Sequence, residues 1–400
     1  MNFIRRAGIV LIITGLIVFL ATLNFGEFEL SEDAAQSLGE GEKFEILIEA
    51  LTQMTGQTYG SNFAFVRALD GAFVQANSKI TDKYAIDDQV IDAIIQKAPQ
   101  MNITFTAEWI SRAFDGKETD TDQYRLHILK EYTRWMEGKS FGTKVALMKR
   151  LMMTKEQINR SLFYKKGFDN YSLKTLKFSI TKASSKGIVT NNALIIFILS
   201  VGLWIVGALL FYVGQYSDKA PGIKNNHIFT RSLTGRGWLG IALGILLISF
   251  YIVLYFYPEY LTNWVLLVDP VSRALNGGPA SHWFLYGFLY TLAVTVMGIR
   301  MILKYRHSNY HILRTASIMF FQFSFAFIIP EILIALDKPG YDFKNIWPLD
   351  YDFFYGYNMD QLITSGTLGW FMLFWGLALI VLAVPLLTYF YGKRWYCSWV

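Results

Sequence analysis

The chain contains 400 residues, of which 53% are hydrophobic and only 17% are charged. This composition is too apolar for an average soluble protein, so it predicts that a lipid bilayer surrounds much of the chain. The formal net charge of +6 is explained by basic loops beside membrane spans, and it does not indicate a nucleic-acid-binding protein.

Six apolar runs reach the length of about 20 residues that a membrane-spanning helix requires. In chain order they are residues 7–25, 193–214, 237–257, 282–303, 315–336 and 368–391. The first run could instead be a cleaved signal peptide. However, its apolar core is longer than the roughly 7 to 15 residues of a typical signal and no A-x-A site follows it, which favours an uncleaved anchor. The sequence therefore predicts an all-α membrane protein with six transmembrane helices.

The charges of the loops predict the orientation of these spans, because Lys and Arg near span ends are retained in the cytoplasm. Arg5 and Arg6 precede the first run, and the loops of residues 215–236 and 304–314 are basic. The loops of residues 258–281 and 337–367 are acidic, and we expect them to face outward. This alternation predicts a multi-pass protein of the plasma (inner) membrane with both termini in the cytoplasm.

The first two spans are separated by residues 26–192, which are enough for one independent extracytoplasmic domain. Apolar residues recur at helical intervals in "KFEILIEALTQM" and "QYRLHILKEYTRWMEG", which predicts a mostly α domain. The best strand candidates are "MNITF" and "LKFSIT", and Thr154 is the expected start of a helix over "KEQINRSLF". The domain lacks cysteine, and its one histidine, His127, is interpreted as an ordinary helix residue. We expect this domain to sense, bind or dock.

The fifth apolar run carries polar residues that are costly at membrane depth. Gln322 lies in "FFQFSFAF", and Pro330 and Glu331 follow in "FIIPEILIALD". Ionisable groups within spans are functional candidates by default, so Glu331 and Gln322 are candidates for a proton or quinone-headgroup site. The alternative is a glutamate at the membrane interface beyond a proline kink.

The histidines of the spans do not favour haem. A haem held between spans needs axial histidines on facing helices at matched depth. His282 begins the fourth run, whereas His307 and His311 lie beyond its other end. A basic loop explains the second pair more simply, so haem is not expected.

The sequence "YGKRWYCSWV" follows the sixth run and contains the only cysteine, Cys397. Arg394, Cys397 and Trp399 form the pattern R-x-x-C-x-W. After a transmembrane helix, this pattern resembles the start of the cluster region in the membrane-bound polyferredoxin family. That family includes the regulator of nitrous oxide respiration and the membrane iron–sulfur component of periplasmic nitrate reductase.

The resemblance implies cytoplasmic [4Fe–4S] clusters with Cys397 as a first ligand, while Lys393 and Arg394 tune the cluster charge and Trp399 belongs to the cluster environment. The next cysteine of the family pattern would fall immediately after Val400. A cluster needs four ligands, so Cys397 alone cannot hold one. We expect that the sequence is truncated there; the alternative is that the other ligands come from elsewhere.

Some members of this family carry a flavin covalently on a threonine within [DS]-G-A-[TS]. The nearest stretch here is "LDGAFVQA", with Asp70, Gly71 and Ala72. Phe73 stands where the acceptor hydroxyl should be, so a covalent flavin is not expected.

The leading hypothesis is membrane-bound electron transfer through ferredoxin-type clusters, with quinone and redox proteins on either side of the membrane as candidate partners. Such a chain is a component of a redox system rather than a stand-alone catalyst. The chain is predicted to have four parts. Residues 1–25 form the cytoplasmic N-terminus and first transmembrane helix, and residues 26–192 form the extracytoplasmic domain. Residues 193–391 form five further spans, and residues 392–400 begin the cluster motif. The alternative is a membrane sensor or transport-associated protein with an extracytoplasmic ligand-binding domain.

Overall fold

The structure is a computed structural model, and it describes residues 3–117, 119–213, 237–338 and 366–391. The chain divides into two compact units. Glu27–Ser184 forms one, here called the interspan domain, and Met1–Gly26 with Ser185–Val400 forms the other, here called the membrane unit. Helices dominate the described residues of both units, which confirms the predicted all-α class.

Helix α1 (Phe3–Ala21) precedes the interspan domain. The helices of this domain are α2 (Glu32–Gln36), α3 (Glu42–Leu51), α4 (Asn62–Tyr84), α5 (Asp88–Lys97), α6 (Glu108–Ala113), α7 (Asp120–Thr133), α8 (Lys144–Lys165) and α9 (Asn170–Ala183). Two short antiparallel pairs accompany them: β1 (Glu27–Glu29) with β2 (Thr58–Tyr59), and β3 (Met101–Thr104) with β4 (Ser140–Thr143).

Helix α4 is the centre of the interspan domain. Its N-cap is Ser61, whose hydroxyl accepts a hydrogen bond from the Ala64 N–H at 3.2 Å. Helices α3, α7, α8 and α9 pack against it. The buried apolar residues of α4 follow helical spacing along one side: Phe65, Leu69, Ala72, Phe73, Ala76 and Ile80. The periodicity of the sequence therefore produces the core directly.

Two asparagines stabilise this core by replacing backbone hydrogen bonds. Asn77 accepts from the Phe168 N–H at 2.8 Å and donates to the Phe168 carbonyl at 3.3 Å. Asn159 bonds both backbone groups of Ile86 in the same way, at 2.9 and 3.2 Å. Each amide thereby satisfies a donor and an acceptor that would otherwise be costly to bury.

Two local predictions for this domain are wrong and one is confirmed. "MNITF" forms strand β3, as expected, but "LKFSIT" lies in helix α9. Its alternation is overridden because Leu173 and Leu176 also pack on the core at helical spacing with buried Ile180. Thr154 lies inside α8, where its hydroxyl donates to the Arg150 carbonyl at 3.0 Å.

The membrane unit contains helices on both sides of the interspan domain in sequence. After α1 and the 3-10 turn Thr22–Asn24, its elements are β5 (Ser185–Lys186), α10 (Ile188–Asn191), α11 (Ala193–Phe197), α12 (Leu203–Val213), α13 (Gly237–Phe256), α14 (Thr262–Asn276), α15 (His282–Lys304), α16 (Asn309–Phe320), α17 (Ile329–Ala335), α18 (Thr367–Ala378) and α19 (Val384–Tyr391). A 3-10 turn covers Pro258–Leu261, and the π-helical stretches are Ile198–Gly202, Phe321–Ile328 and Leu379–Ala383.

Among the described residues, five helical stretches are long and apolar enough to cross a membrane. They are Phe3–Ala21, Ala193–Val213, His282–Lys304, Asn309–Ala335 and Gly369–Phe390. The number rises to six if Gly244–Phe256 and Pro258–Asn276 form one broken span; the chain direction bends by 113° between these two helices. These helices mark the chain as a membrane protein.

The sequence predicts a loop over residues 258–281, whereas most of this segment is helical in the structure. The chain turns sharply after α13 and forms the amphipathic helix α14, whose Val265, Leu267 and Val268 are fully or almost fully buried. Pro258 stands in the first turn of the 3-10 segment, where a missing N–H costs nothing. Helix α14 ends at Gly277, which has a φ of +79°.

Close contact between α1 and α12 depends on glycine. A Cβ atom on Gly8 would lie 2.6 Å from the Gly207 carbonyl oxygen, and a Cβ on Gly207 would lie 2.7 Å from that of Gly8. Gly15 approaches the Ser200 carbonyl equally closely, at 2.6 Å. Small residues allow such backbone contact in membranes, where lipid is as apolar as a leucine side chain and burial alone gives little driving force.

Candidate functional site

The candidate site is built around the segment of residues 258–280, here called the bent segment. Most of its first part is buried, including several polar residues. Glu259 is 3% exposed, Asn263 is 1% exposed and Ser272 is fully buried. Buried polar groups need partners, and the hydrogen bonds of this segment run to α1, to its own C-terminal loop and to α17.

The bent segment holds the C-terminal end of α1. Asn263 donates to the carbonyls of Thr22 and Phe25 at 2.9 and 3.0 Å. The Trp264 indole donates to the Phe19 carbonyl at 2.8 Å, and its ring stacks on Phe19 with centroids 4.5 Å apart. The Phe19 carbonyl also accepts from the Thr22 hydroxyl, and the Thr22 carbonyl also accepts from the Phe25 N–H. The bent segment therefore adds hydrogen bonds to carbonyls at and just after the end of α1, where the helix itself supplies few donors.

Asp269 closes the loop that follows α14. Its Oδ1 accepts from the Ala280 N–H at 2.8 Å, and its Oδ2 accepts from the Arg273 guanidinium at 2.7 Å. The carboxylate therefore joins the helix to the residue two positions before α15. This bridge fixes the turn from which Asn276 projects.

Glu331 contacts Asn276 of the bent segment. Asn276 Oδ1 accepts from the Gly278 N–H at 2.8 Å and from the Ser272 hydroxyl at 3.3 Å. Because the amide oxygen is occupied, its nitrogen is directed outward, and it donates to Glu331 Oε2 at 2.5 Å. The half-buried carboxylate is thus held by a donor whose orientation is fixed by two further bonds.

Gln322 does not belong to this contact. It is buried in the π-helical stretch Phe321–Ile328, nine residues before Glu331. At the helical rise of about 1.5 Å per residue, the two lie roughly 13 Å apart along the axis. The π-helical stretch ends directly before Ile329 and Pro330. A widened turn relieves the clash that proline makes with the carbonyl of the preceding turn.

The predicted cluster residues, Lys393, Arg394, Cys397 and Trp399, lie outside the described residues. Within the ranges that the structure describes, no three His, Cys, Asp or Glu side chains converge on a possible metal position. His311 lies in the first turn of α16 rather than in a loop, where it stacks on Tyr305 and shares a hydrogen bond of 2.7 Å with Ser308. His127 lies in helix α7.

The stretch nearest to the covalent-flavin pattern lies in helix α4 and contributes to the core of the interspan domain. Asp70, Gly71 and Ala72 lie in the middle of α4, and the Phe73 side chain is 2% exposed in the core. Asp70 forms an ion pair with Lys177 of α9. These residues therefore build the domain interior and its immediate rim.

Sequence reasoning missed Asn263, Asp269 and Asn276. The sequence predicts an acidic loop here, in which a carboxylate such as Asp269 indicates orientation and no particular hydrogen bond. One signal was available: Asp269, Arg273 and Asn276 recur at helical spacing before the pair Gly277 and Gly278, which is typical of a helix C-terminus. The partners of these side chains lie far away in sequence, and only the tertiary structure reveals them.

Comparison with known proteins finds no matching family model, no matching curated protein and no matching solved structure.

Proposed function

We propose that the chain is the membrane part of an electron-transfer protein with ferredoxin-type [4Fe–4S] clusters on the cytoplasmic side. The observation that carries this proposal is the pattern of Arg394, Cys397 and Trp399, which closely follows the apolar stretch Gly369–Phe390. Thiolates are the ligands of such clusters, and basic neighbours such as Lys393 offset their negative charge. The 400 residues contain one cysteine, so the remaining ligands must be supplied from outside them.

The contact between Asn276 and Glu331 supports a quinone or proton site in the same protein. A carboxylate can accept a proton from a quinol hydroxyl, and an oriented amide can donate to a quinone carbonyl. In that role Glu331 would accept one proton of a bound quinol, and the proposed clusters would supply the electron acceptor. Asn276 would position the carboxylate, and Gln322 stays a separate candidate within the same span.

The first experiment tests the clusters in the full-length protein, purified without oxygen. We expect iron and acid-labile sulfide in equal amounts and an EPR signal after reduction. The variant Cys397→Ala should lose the iron of one cluster, about four atoms. The neighbouring Ser398→Ala variant is the matched control and should retain all of it. Iron content that is unchanged in Cys397→Ala, or absent from the parent protein, would refute the cluster assignment.

The second experiment tests Glu331 in the same preparation by following cluster reduction with a soluble quinol. Glu331→Gln keeps the size and hydrogen-bonding capacity of the side chain but cannot accept a proton. We expect a reduction rate at least about tenfold lower, in line with loss of a general base. Asp337→Asn, an exposed carboxylate shortly after α17, is the control. Equal rates in both variants would remove Glu331 from the pathway.

A second candidate function, a membrane sensor with an extracytoplasmic ligand-binding domain, is favoured by one observation. The interspan domain contains a cavity of about 220 Å³ lined by charged and apolar side chains. Iron analysis separates the two functions, because a sensor of this kind requires no cluster.

A further inference from the structure

The cavity of the interspan domain lies where three helices approach one another. Its wall is formed by α3, by the C-terminal half of α4 and by the end of α8. The lining residues are Glu42, Lys43, Ile46, Ile80, Tyr84, Lys165 and Lys166. The volume of about 220 Å³ is below the roughly 300 to 1,000 Å³ of pockets for drug-sized ligands, so the occupant must be small.

The only carboxylate among these lining residues is already engaged. Glu42 accepts hydrogen bonds from the Lys83 ammonium and from the Tyr84 hydroxyl, one on each oxygen. These bonds, led by that from Lys83, lower the pKa of Glu42 below its ordinary value of 4.5 and keep it ionised. Glu42 is therefore a fixed part of the wall, and its charge is balanced by Lys83.

Two of the lining lysines stand outside close ion pairs, although the Lys166 charge also helps to lower the pKa of Glu42. Among the described residues, neither Lys43 nor Lys166 forms an ion pair within 4.0 Å. The Lys166 ammonium lies over the rings of Tyr124 and Tyr84, 4.1 and 4.8 Å from their centroids. The Lys43 ammonium lies 5.2 and 5.4 Å from the rings of Phe44 and Phe168.

The remaining charges nearby are committed to other groups. Lys165 forms an ion pair with Glu131 at 3.6 Å. Asp169 is near enough to Lys43 to feel its charge, but its carboxylate accepts from the Ser172 N–H at 2.9 Å and caps α9. The cavity thus combines two ammonium groups that form no close ion pair among the described residues with apolar side chains, Ile46 and the buried Ile80.

We infer that this cavity binds a short organic carboxylate, with Lys43 and Lys166 contacting its charged ends and Ile46 and Ile80 contacting its carbon chain. The aromatic rings hold both ammonium groups in place, and a positioned ammonium can form charge-assisted hydrogen bonds with an incoming anion. The apolar surface distinguishes such a ligand from inorganic phosphate, which would use the charges alone. This inference names a ligand class for the second candidate function, and it does not depend on iron–sulfur clusters.

Calorimetric titration of the detergent-solubilised protein with succinate, butyrate, butyramide and inorganic phosphate tests the inference. We expect binding of a carboxylate, weaker or no binding of phosphate, and none of the neutral amide. The variants Lys43→Met and Lys166→Met should each weaken carboxylate binding at least about tenfold, since each removes a charge-assisted contact. Lys166→Arg should bind the carboxylate much more tightly than Lys166→Met does, because arginine retains the positive charge.

Lys149→Met, the same substitution at an exposed lysine outside the cavity lining, is the matched control and should bind like the parent. Lys43 is exposed like Lys149, so Lys43→Met should fold normally even if Lys166→Met does not. No carboxylate binding, equal loss in Lys149→Met, or phosphate binding as strong as carboxylate binding would each overturn the inference. Iron content plays no part in these measurements, so the cluster proposal stands or falls separately.

Discussion

The interspan domain and the membrane unit solve the problem of a stable interior in opposite ways. The domain fills its core with large side chains, among them Phe28, Phe65, Phe105 and Phe168, all of them fully buried. In the described part of the membrane unit, α1 and α12 approach closely where side chains are missing, at Gly8 and Gly207. Water drives large apolar groups together, whereas in lipid only close packing and hydrogen bonding distinguish one helix contact from another.

Both units nevertheless use asparagine to satisfy buried backbone groups. Asn77 serves both groups of Phe168 inside the domain, and Asn263 serves two carbonyls at the end of α1. The two units differ in what surrounds the freed backbone groups once the asparagine hydrogen bonds are broken. Unfolding exposes the domain backbone to water, while α1 keeps most of its own helical hydrogen bonds in a membrane. The same substitution should therefore have unequal effects.

The largest effect is expected for Asn77→Ala. It leaves the N–H and the carbonyl of Phe168 buried without partners, at about 1 to 3 kcal/mol for each group, so the domain should lose roughly 2 to 6 kcal/mol of stability. Denaturant unfolding, or hydrogen exchange across α4, measures this. Asn170→Ala, at the exposed first position of α9, is the control and should change little. Equal effects of the two variants would show that the bonds of Asn77 contribute nothing.

Glycine-to-alanine changes should have opposite signs in the two units. Gly8→Ala places a methyl group 2.6 Å from a backbone oxygen and should cost about 1 to 3 kcal/mol as α1 and α12 separate. Gly71→Ala adds a methyl to an exposed helical position with open space and should stabilise α4 by about 0.5 to 1 kcal/mol. Thermal melting with hydrogen exchange resolved by helix tests both. Stabilisation by Gly8→Ala would contradict the close contact.

A smaller loss is expected for Asn263→Ala, about 1 kcal/mol, because hydrogen bonds between membrane helices average roughly 0.6 kcal/mol and reach about 1.7. Hydrogen exchange at the end of α1 should rise, while exchange in the interspan domain should stay as in the parent. Asn276→Ala is a useful companion, since it removes a polar contact of the same bent segment without touching α1. A loss for Asn263→Ala above that of Asn77→Ala would reverse the comparison between the units.

The smallest effect concerns the pH dependence of the interspan domain. The pKa of Glu42 is lowered mainly by the hydrogen bond from Lys83, so its contribution is present above pH 4.5 and is lost as the pH falls below that value. The pKa of Tyr84 is raised to about 12, chiefly by burial, so its contribution is lost as the pH rises from 10 to 12. Glu42→Gln should reduce the loss of stability at acid pH, by less than about 1 kcal/mol because Glu42 is partly exposed. Tyr84→Phe should reduce the loss of stability at alkaline pH.

These pH profiles also test the membrane comparison. The limbs should appear in unfolding of the interspan domain, and hydrogen exchange of α1 and α12 should not follow them. Unchanged profiles in Glu42→Gln and Tyr84→Phe would show that other groups control the titration.

The sequence determined the features that depend on local pattern. Length and apolar composition were enough to predict apolar membrane helices, and residue spacing predicted the helices over "KFEILIEALTQM" and "QYRLHILKEYTRWMEG", which are α3 and α7. The pattern around Cys397 supplied the functional hypothesis, and that prediction falls on residues outside those the structure describes. Glu331 was identified because an ionisable residue within an apolar run has a cost that can be read from a single position.

Only the tertiary structure decided which distant groups meet. The partners of Asn263 and Trp264 are carbonyls in and just after α1, more than 200 positions earlier in the chain, and Glu331 is paired with Asn276 of a helix that sequence reasoning took for a loop. The lysine-lined cavity likewise needs Lys43 and Lys166 to be brought together by helices α3 and α8. A hydrogen bond depends on the position of two atoms to within a few tenths of an ångström, and that information resides in the packing of whole helices rather than in any local pattern.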